Sequence, residues 1–203
     1  MTSRSDRPLL IGLHGRAGAG KDTVALMWGT SHGFQRVALA DPLREALYEL
    51  DPMLATGLTV RMLVDSVGWE AAKRHRLYGP EVRRLLQVLA TEVVRDMISP
   101  TAWVDIAEQH ITELRDAGSS VVVTDVRFPN EADMIRRLGG HIVRVDRLGP
   151  AESGSQHRSE TASIHADLVL SNDFDLASLR QHAQVTISQI IAREARRRQE
   201  SAA

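Results

Sequence analysis

Residues Gly15-Arg16-Ala17-Gly18-Ala19-Gly20-Lys21-Asp22-Thr23 constrain this chain more than any other stretch. They follow a short apolar run, Leu9 to Leu13, and lead into the helical pattern Val24-Ala25-Leu26-Met27-Trp28. Strand, glycine-rich turn and helix form the context of a phosphate-binding loop. Glycines let the backbone curl until several N–H groups converge on one anion, and the helix N-terminus adds its positive dipole end. Lys21 brings a point charge to the outer phosphates. The alternative, a glycine turn capping an ordinary helix, leaves the lysine unexplained. The chain has 25 Lys plus Arg, of which only Lys21 and Lys73 are lysines, yet one of the two stands where such a loop needs it. The segment therefore points to nucleotide binding and phosphoryl transfer. One detail departs from the strict pattern, which asks for Ser or Thr after the lysine. Here Asp22 follows it, with Thr23 next. A carboxylate can help hold magnesium, directly or through water, but it also adds negative charge beside phosphates.

At 203 residues the chain fits one compact α/β domain with a lid or small insert. A net charge of −1 gives no electrostatic case for nucleic acid as the main partner. The absence of cysteine excludes disulfides, a thiol nucleophile and cysteine metal sites. The N-terminal residues are polar, and no apolar stretch approaches the roughly 20 residues that span a bilayer. The expectation is a soluble, intracellular protein with no membrane partner.

Five strands are expected, over residues 9–13, 36–40, 121–125, 141–146 and 167–171. Several are continuous apolar runs, as in a parallel sheet covered on both faces, and helical patterns alternate with them. The connection between the second and third strands, roughly 80 residues, is too long for a simple crossover and must hold several helices. Asp41-Pro42 opens one of these, with Asp41 as N-cap. Tyr78-Gly79-Pro80 precedes another that runs to about Met97, and Ser99-Pro100 opens a third. The domain reading is a core of 9–40 and 119–203, a helical acceptor-binding insert over about 41–118, and a Gly- and Ser-rich lid over about 147–163. A last helix, from Asp175 to about Arg198, carries Leu176, Leu179, Ala183, Ile187, Ile190 and Ile191 at helical spacing. Its terminal Arg196-Arg197-Arg198 reads as a solvated helix end rather than a nucleic-acid contact.

At about 100° per residue, the helix over 81–97 places Val82, Leu85, Leu86, Leu89, Val93 and Met97 on one side. Arg83, Arg84, Gln87, Thr91 and Arg95 fall in a narrow stripe on the other, with Glu92 near its edge. Guanidinium groups grip phosphate, and an amide or hydroxyl reads the edge of a base. A solvated polar face is the competing reading. Asp125, at the carboxyl end of a buried strand, lies where open α/β sheets bind ligands. It can hold magnesium through water or accept a proton from an attacking phosphate oxygen. Arg127, two residues on, can neutralise an acceptor phosphate. Asn130 and Glu131 read as helix-start residues, and His14, His141, Trp28 and Trp103 as structural.

Taken together these segments resemble the phage-type deoxynucleoside monophosphate kinases of the P-loop kinase superfamily. The resemblance is carried by Gly15 to Thr23, Ala40-Asp41-Pro42-Leu43-Arg44-Glu45, and Leu85-Leu86-Gln87 with Thr91-Glu92 and Arg95. It continues through Asp125-Val126-Arg127-Phe128-Pro129-Asn130-Glu131, Gly139-Gly140 and His157-Arg158-Ser159-Glu160. Ala90 departs from it, since similar proteins carry Gly there, and Arg158 stands where a small residue or proline is usual.

The resemblance implies a P-loop kinase fold with a five-stranded parallel sheet, and transfer of the ATP γ-phosphate to a deoxynucleoside monophosphate with Mg2+. It implies that Gly15, Gly18, Ala19, Gly20, Lys21, Asp22 and Thr23 bind ATP, with Asp22 and Asp125 at the metal. Lys21, Asp125 and Arg127 would be catalytic. Asp41, Arg44, Arg83, Gln87, Thr91, Glu92, Arg95 and Arg127 would bind the acceptor, and Arg147 or Arg158 would close the lid. A homodimer and a host-cytoplasm location would accompany a phage enzyme. Two other readings stay open: another small-molecule P-loop kinase, and a regulatory nucleotide-binding ATPase.

Overall fold

The computed structural model describes residues 8–147, 164–173 and 175–202. In chain order the elements begin with β1 (Leu10–His14), α1 (Lys21–His32), β2 (Gln35–Val37), α2 (Asp41–Leu50), β3 (Met53–Ala55), β4 (Leu58–Thr59), α3 (Val60–Val67) and α4 (Trp69–Arg74). Then come α5 (Gly79–Gln87), a π-helical continuation over Val88–Ile98, α6 (Ala102–Asp116), β5 (Val121–Val126), α7 (Pro129–Arg137), β6 (His141–Asp146), β7 (Leu168–Ser171) and α8 (Leu176–Ala202). The chain divides into two compact units, Met1–Ala38 with Ala107–Ala203, and Leu39–Ile106.

The first unit is built on a five-stranded parallel sheet in the order β2-β5-β1-β6-β7. Successive side chains of a strand point to opposite faces. Ile11 and Leu13 accordingly pack with Trp28 of α1 and with Ala183, Ile187 and Ile190 of α8. Gly12 faces the other way, where a Cβ would lie 2.5 Å from Ile135 Cδ1 of α7. Helices thus cover both faces of the sheet. Leu10, Ile11, Leu13, Val121, Val122 and Val123 are all essentially inaccessible, which is why β1 and β5 read as unbroken apolar runs. Each such side chain contributes about 1.5–3 kcal/mol by leaving water. Trp28 is also buried, and its indole donates to the Ala183 carbonyl at 3.1 Å. Arg115, 6% exposed, fastens chain segments by donating to the carbonyls of Pro8 and Leu138.

The second unit has its own small core of Leu47, Val60, Leu63, Val64, Ala72 and Val82. Gly79 is required there because a Cβ would stand 2.5 Å from the Lys73 carbonyl oxygen. β3 and β4 form an antiparallel hairpin that the sequence analysis did not anticipate. Its signal was Gly57, which adopts φ +77 in the turn between two very short strands.

All five expected strands are present, β6 with the expected limits and the other four with shifted ones. The second is shorter, Gln35–Val37 instead of 36–40, because the chain turns at Leu39-Ala40 to enter α2. Asp41 is the first residue of α2, and Ala40, not Asp41, is its N-cap. The Asp41 carboxylate instead meets Arg44 at 3.4 Å. On α8, Leu179, Ala183, Ile187 and Ile190 are buried, whereas Leu176 and Ile191 are exposed. The largest departure concerns the helix expected over 81–97. It is α-helical only to Gln87 and then π-helical from Val88 to Ile98. The wider i→i+5 turns spoil the α-helical spacing beyond that point. Val82 is buried as expected, but Met97 is 79% exposed.

Candidate active site

The loop between β1 and α1 takes its shape from three glycines with positive φ, Gly15 at +142, Gly18 at +74 and Gly20 at +100. Two of them also lack room for any side chain. A Cβ on Gly15 would sit 2.4 Å from the Val145 carbonyl oxygen, and one on Gly20 2.5 Å from Asn172 Nδ2. Between them, Ala19 is fully buried, and its N–H donates to the Arg16 carbonyl at 3.2 Å. Lys21 opens α1 and swings its ammonium back over the loop, donating to the carbonyls of Gly15 at 2.7 Å and Arg16 at 2.9 Å. A cation is thereby held against the turn whose N–H groups and helix end favour an anion.

The neighbouring strands supply two more cations. β1 lies between β5 and β6 in the sheet, and all three run the same way, so their carboxyl ends share one edge. Arg127 is the first residue after β5, and Arg147 the first after β6. A small pocket of ≈ 80 Å³ is lined by His14, Gly15, Arg16, Lys21 and Arg127, among others, and among the described residues by no carboxylate. Arg147 Nη1 donates to the Gly18 carbonyl at 3.2 Å, and its own carbonyl accepts from Arg16. Three of the anticipated residues, Lys21, Arg127 and Arg147, are therefore gathered at the loop.

Arg127 is held from behind. Glu131, only 7% exposed, accepts the backbone N–H groups of Arg127 at 2.7 Å and of Phe128 at 3.0 Å. The helix-start role expected of Glu131 is what the geometry displays, and it also fixes the backbone that carries the guanidinium. Asn172 went unnoticed in the sequence. Its Nδ2 donates to the Ala19 carbonyl at 2.8 Å, and its N–H to the Asp146 carbonyl at 2.7 Å. The available signal was its position immediately after β7, on the edge that bears the loop.

The remaining residues expected in the first unit are less convergent. Asp22 is largely exposed, and its carboxylate is 3.6 Å from Arg36 Nε. Thr23 is half-buried in the first turn of α1, and Asp125 is half-buried inside β5, one residue before its end. Among the described residues no three His, Asp or Glu side chains form a ready-made metal cage. Magnesium in nucleotide enzymes draws most of its oxygens from phosphate and water and needs only one or two carboxylates. The hard oxygen donors of Asp22, Thr23 and Asp125 suit that sparse requirement. Arg158 lies outside the described residues.

In the second unit, Arg44 is paired with Asp41 at 3.4 Å and with Glu70 at 3.1 Å. Burial raises the pKa of Glu70, but the Lys73 hydrogen bond and the charges of Lys73, Arg44 and Arg74 outweigh it and hold the carboxyl below its usual range. Arg83 donates to the Lys73 carbonyl. Arg84 is bound by both oxygens of Glu81, at 2.7 and 2.8 Å, an interaction that lowers the Glu81 pKa and raises that of Arg84. Gln87 and Glu92 are exposed, and Thr91 and Arg95 half-buried. The single stripe expected of these residues is broken at Val88, where the π-helix begins. Trp103 braces this segment, its indole donating to the Ala90 carbonyl at 3.2 Å.

The sequence profile of the deoxynucleotide monophosphate kinases matches residues 73–183, more than half of the chain. The chain belongs to that family. Its matched region contains the π-helical segment and the Asp125–Glu131 motif. A protein of Acanthamoeba polyphaga mimivirus, provisionally named a deoxynucleotide monophosphate kinase, is 34% identical over 177 residues, which cover 81% of this chain and 89% of that one. The deoxynucleoside-5'-monophosphate kinase of Escherichia phage T5 is 26% identical over 182 residues, covering 63% of this chain and 72% of the phage protein. Among solved structures, the dephospho-CoA kinase of Campylobacter jejuni shares the fold, with a TM-score of 0.51 at 14% identity over 89% of this chain and 96% of that one. The chain thus has the P-loop kinase fold. Among the described residues no helix is long and apolar enough to cross a membrane.

Proposed function

We infer that this family member transfers the γ-phosphoryl group of ATP to the phosphate of a deoxynucleoside monophosphate, giving ADP and the diphosphate. The observation that carries the reading is the pocket at the loop, where Lys21 and Arg127 line one small space with Gly15. Lys21 serves the donor phosphates and Arg127 the acceptor phosphate. A kinase of phosphates must bring two polyanions together, and a cation from each side of the meeting point offsets their repulsion.

The other roles follow from chemistry and position. Amides of Gly15, Gly18 and Gly20 cradle the ATP phosphates, and Ala19, whose N–H is taken by the Arg16 carbonyl, keeps the turn in shape. Asp22, Thr23 and Asp125 would hold magnesium, which would supply positive charge to offset that of the phosphates. Asp125 would also take the proton of a protonated acceptor phosphate as its oxygen attacks. Asp41, Arg44, Arg83, Gln87, Thr91, Glu92 and Arg95 of the second unit contribute phosphate and base recognition. Arg147 closes on the transferring group from the β6 side.

The test is ADP formation from ATP with each of the four common deoxynucleoside monophosphates. At least one should be turned over. Lys21→Ala should lower kcat/KM by about a hundredfold or more, and Arg127→Ala should raise the acceptor KM and lower kcat, in line with losing one charged contact to the reacting group. Inactivity on every monophosphate would overturn the reading.

A further inference from the structure

A second cationic site lies in the first unit, on the opposite edge of the sheet. It is a recess of ≈ 510 Å³ walled by Arg136 of α7 and by Arg193, Arg196 and Arg197 of α8, with His141 at its floor. His141 is the first residue of β6, whereas the phosphate loop lies beyond the carboxyl end of the parallel β1. A six-residue strand spans ~20 Å, so the recess is a sheet's length away from the loop. Among the described residues the two sites share no lining residue.

The arginines are arranged as a site rather than as a solvated helix end. Two are anchored: Arg136 donates to the His165 carbonyl, and Arg193 to the Asp167 carbonyl at 3.3 Å. Arg136 also pairs through Nη1 with Asp133 at 3.6 Å, while the bond of Arg193 uses one nitrogen and leaves its others for a ligand. Arg197 has a local partner in Glu194 at 3.2 Å, and among the described residues Arg196 has none. The negative groups nearby are mostly committed. Glu194 also engages His141 at 2.8 Å, and the Asp167 carboxylate accepts the Ile142 N–H at 2.7 Å. Glu200 is the carboxylate left on the lining. The volume is typical of small-molecule sites. Guanidinium groups brought by two helices to one concavity suit clustered phosphate oxygens. A convex basic stripe, as a duplex backbone requires, is not what they form.

We propose that this recess binds a small molecule bearing two or more linked phosphates, at a site separate from the catalytic one. Its ligand is a free oligophosphate or the phosphate tail of a nucleoside triphosphate.

Calorimetric titration with inorganic tripolyphosphate tests this in the full chain carrying Lys21→Ala, which removes the ammonium of the catalytic loop. One saturable site is expected. Arg196→Gln with Arg197→Gln should weaken it about tenfold or more, as loss of charge-assisted hydrogen bonds entails. Both side chains are exposed, and unchanged circular dichroism will verify the fold. Arg180→Gln, which removes a charge elsewhere on α8, should change the affinity less than twofold. A parallel titration with a deoxynucleoside triphosphate separates the ligand sources. Equal affinity assigns the site to the phosphates alone, and tighter binding shows that base or sugar is also read. No binding, binding indifferent to Arg196 and Arg197, or equal weakening by Arg180→Gln overturns the proposal. So does tighter arginine-dependent binding of a DNA duplex, which makes the face a nucleic-acid surface.

Discussion

The side-chain amide of Asn172 donates to the carbonyl of Ala19, fastening the end of β7 to the phosphate loop across 153 residues of chain. The bond satisfies a carbonyl beside a fully buried residue and holds the turn in which Gly20 adopts φ +100. Replacing Asn172 with Ala removes the donor and leaves that carbonyl unpaired, a loss of about 1–2 kcal/mol. The expected outcome is a several-fold increase in the ATP KM with little change in the acceptor KM, measured by steady-state kinetics. Equal effects on the two substrates would contradict a brace specific to the loop.

Gly20→Ala attacks the same place from the other side. The new methyl group would lie 2.5 Å from Asn172 Nδ2 in a backbone conformation that L residues avoid. Stability should fall by about 1–3 kcal/mol, read from urea unfolding, and ATP binding should weaken with it. In the double variant with Asn172→Ala the steric part should diminish, because the displaced amide is gone. Strict additivity of the two losses would show that the clash is not between these residues.

Glu131 is predicted to act through Arg127. Glu131→Ala strips acceptors from two backbone N–H groups in a nearly buried position, and about 2–3 kcal/mol of stability should go with them. Glu131→Gln keeps one acceptor oxygen and should recover much of that. The acceptor KM and kcat should follow the same order, wild type, Gln, then Ala. If activity ignored the substitutions while stability responded, Glu131 would be a helix cap and nothing more.

Trp103 offers a test of the π-helical segment. Trp103→Phe deletes the indole donor to the Ala90 carbonyl while preserving an aromatic ring. A loss of about 1 kcal/mol is expected, equivalent to about fivefold in the acceptor KM, with the ATP KM within twofold of wild type. Parallel shifts in both constants would remove the link between this segment and the acceptor.

Acid sensitivity should be traceable to Glu70. Its pKa is lowered in the folded protein, so its contribution to stability is complete above the unfolded value near 4.5 and is lost as the pH falls through the lower folded value. The melting-temperature difference between wild type and Glu70→Gln should therefore be constant from neutral pH down to about 4.5, then shrink as acid is added. A difference that grew on acidification would reverse the sign of this coupling.

The sheet was legible because its strands are buried on both faces and so spell apolar runs, and the loop because only glycine fits its positions and only a cation suits its purpose. Arg127 was legible through a sheet rule: it follows a strand parallel to the one that ends in the loop. The π-helix was not. Nothing between Val82 and Met97 departs from an α-helical pattern in composition, and a contact such as that of Trp103 with Ala90 comes from outside the segment. Asn172 was missed for a related reason, since its partner is a backbone carbonyl and leaves no mark on the sequence. The β3–β4 hairpin escaped because strands of three and two residues are too short to show alternation. Asp41 was misassigned as a cap because Asp-Pro favours a helix start without fixing which residue is the first turn.

The central position of β1 has a consequence for how such a protein diverges. One strand end presents the loop, and each of its two neighbours presents a single residue beside it, Arg127 on one side and Arg147 on the other. The three contributions arise from separate stretches of chain on a scaffold whose packing lies elsewhere. Under the roles proposed for Arg127 and Arg147, each can be exchanged independently: a new acceptor would require rewriting the turn after β5, and a new mode of closure the turn after β6, while the grip on the donor would stay as it was.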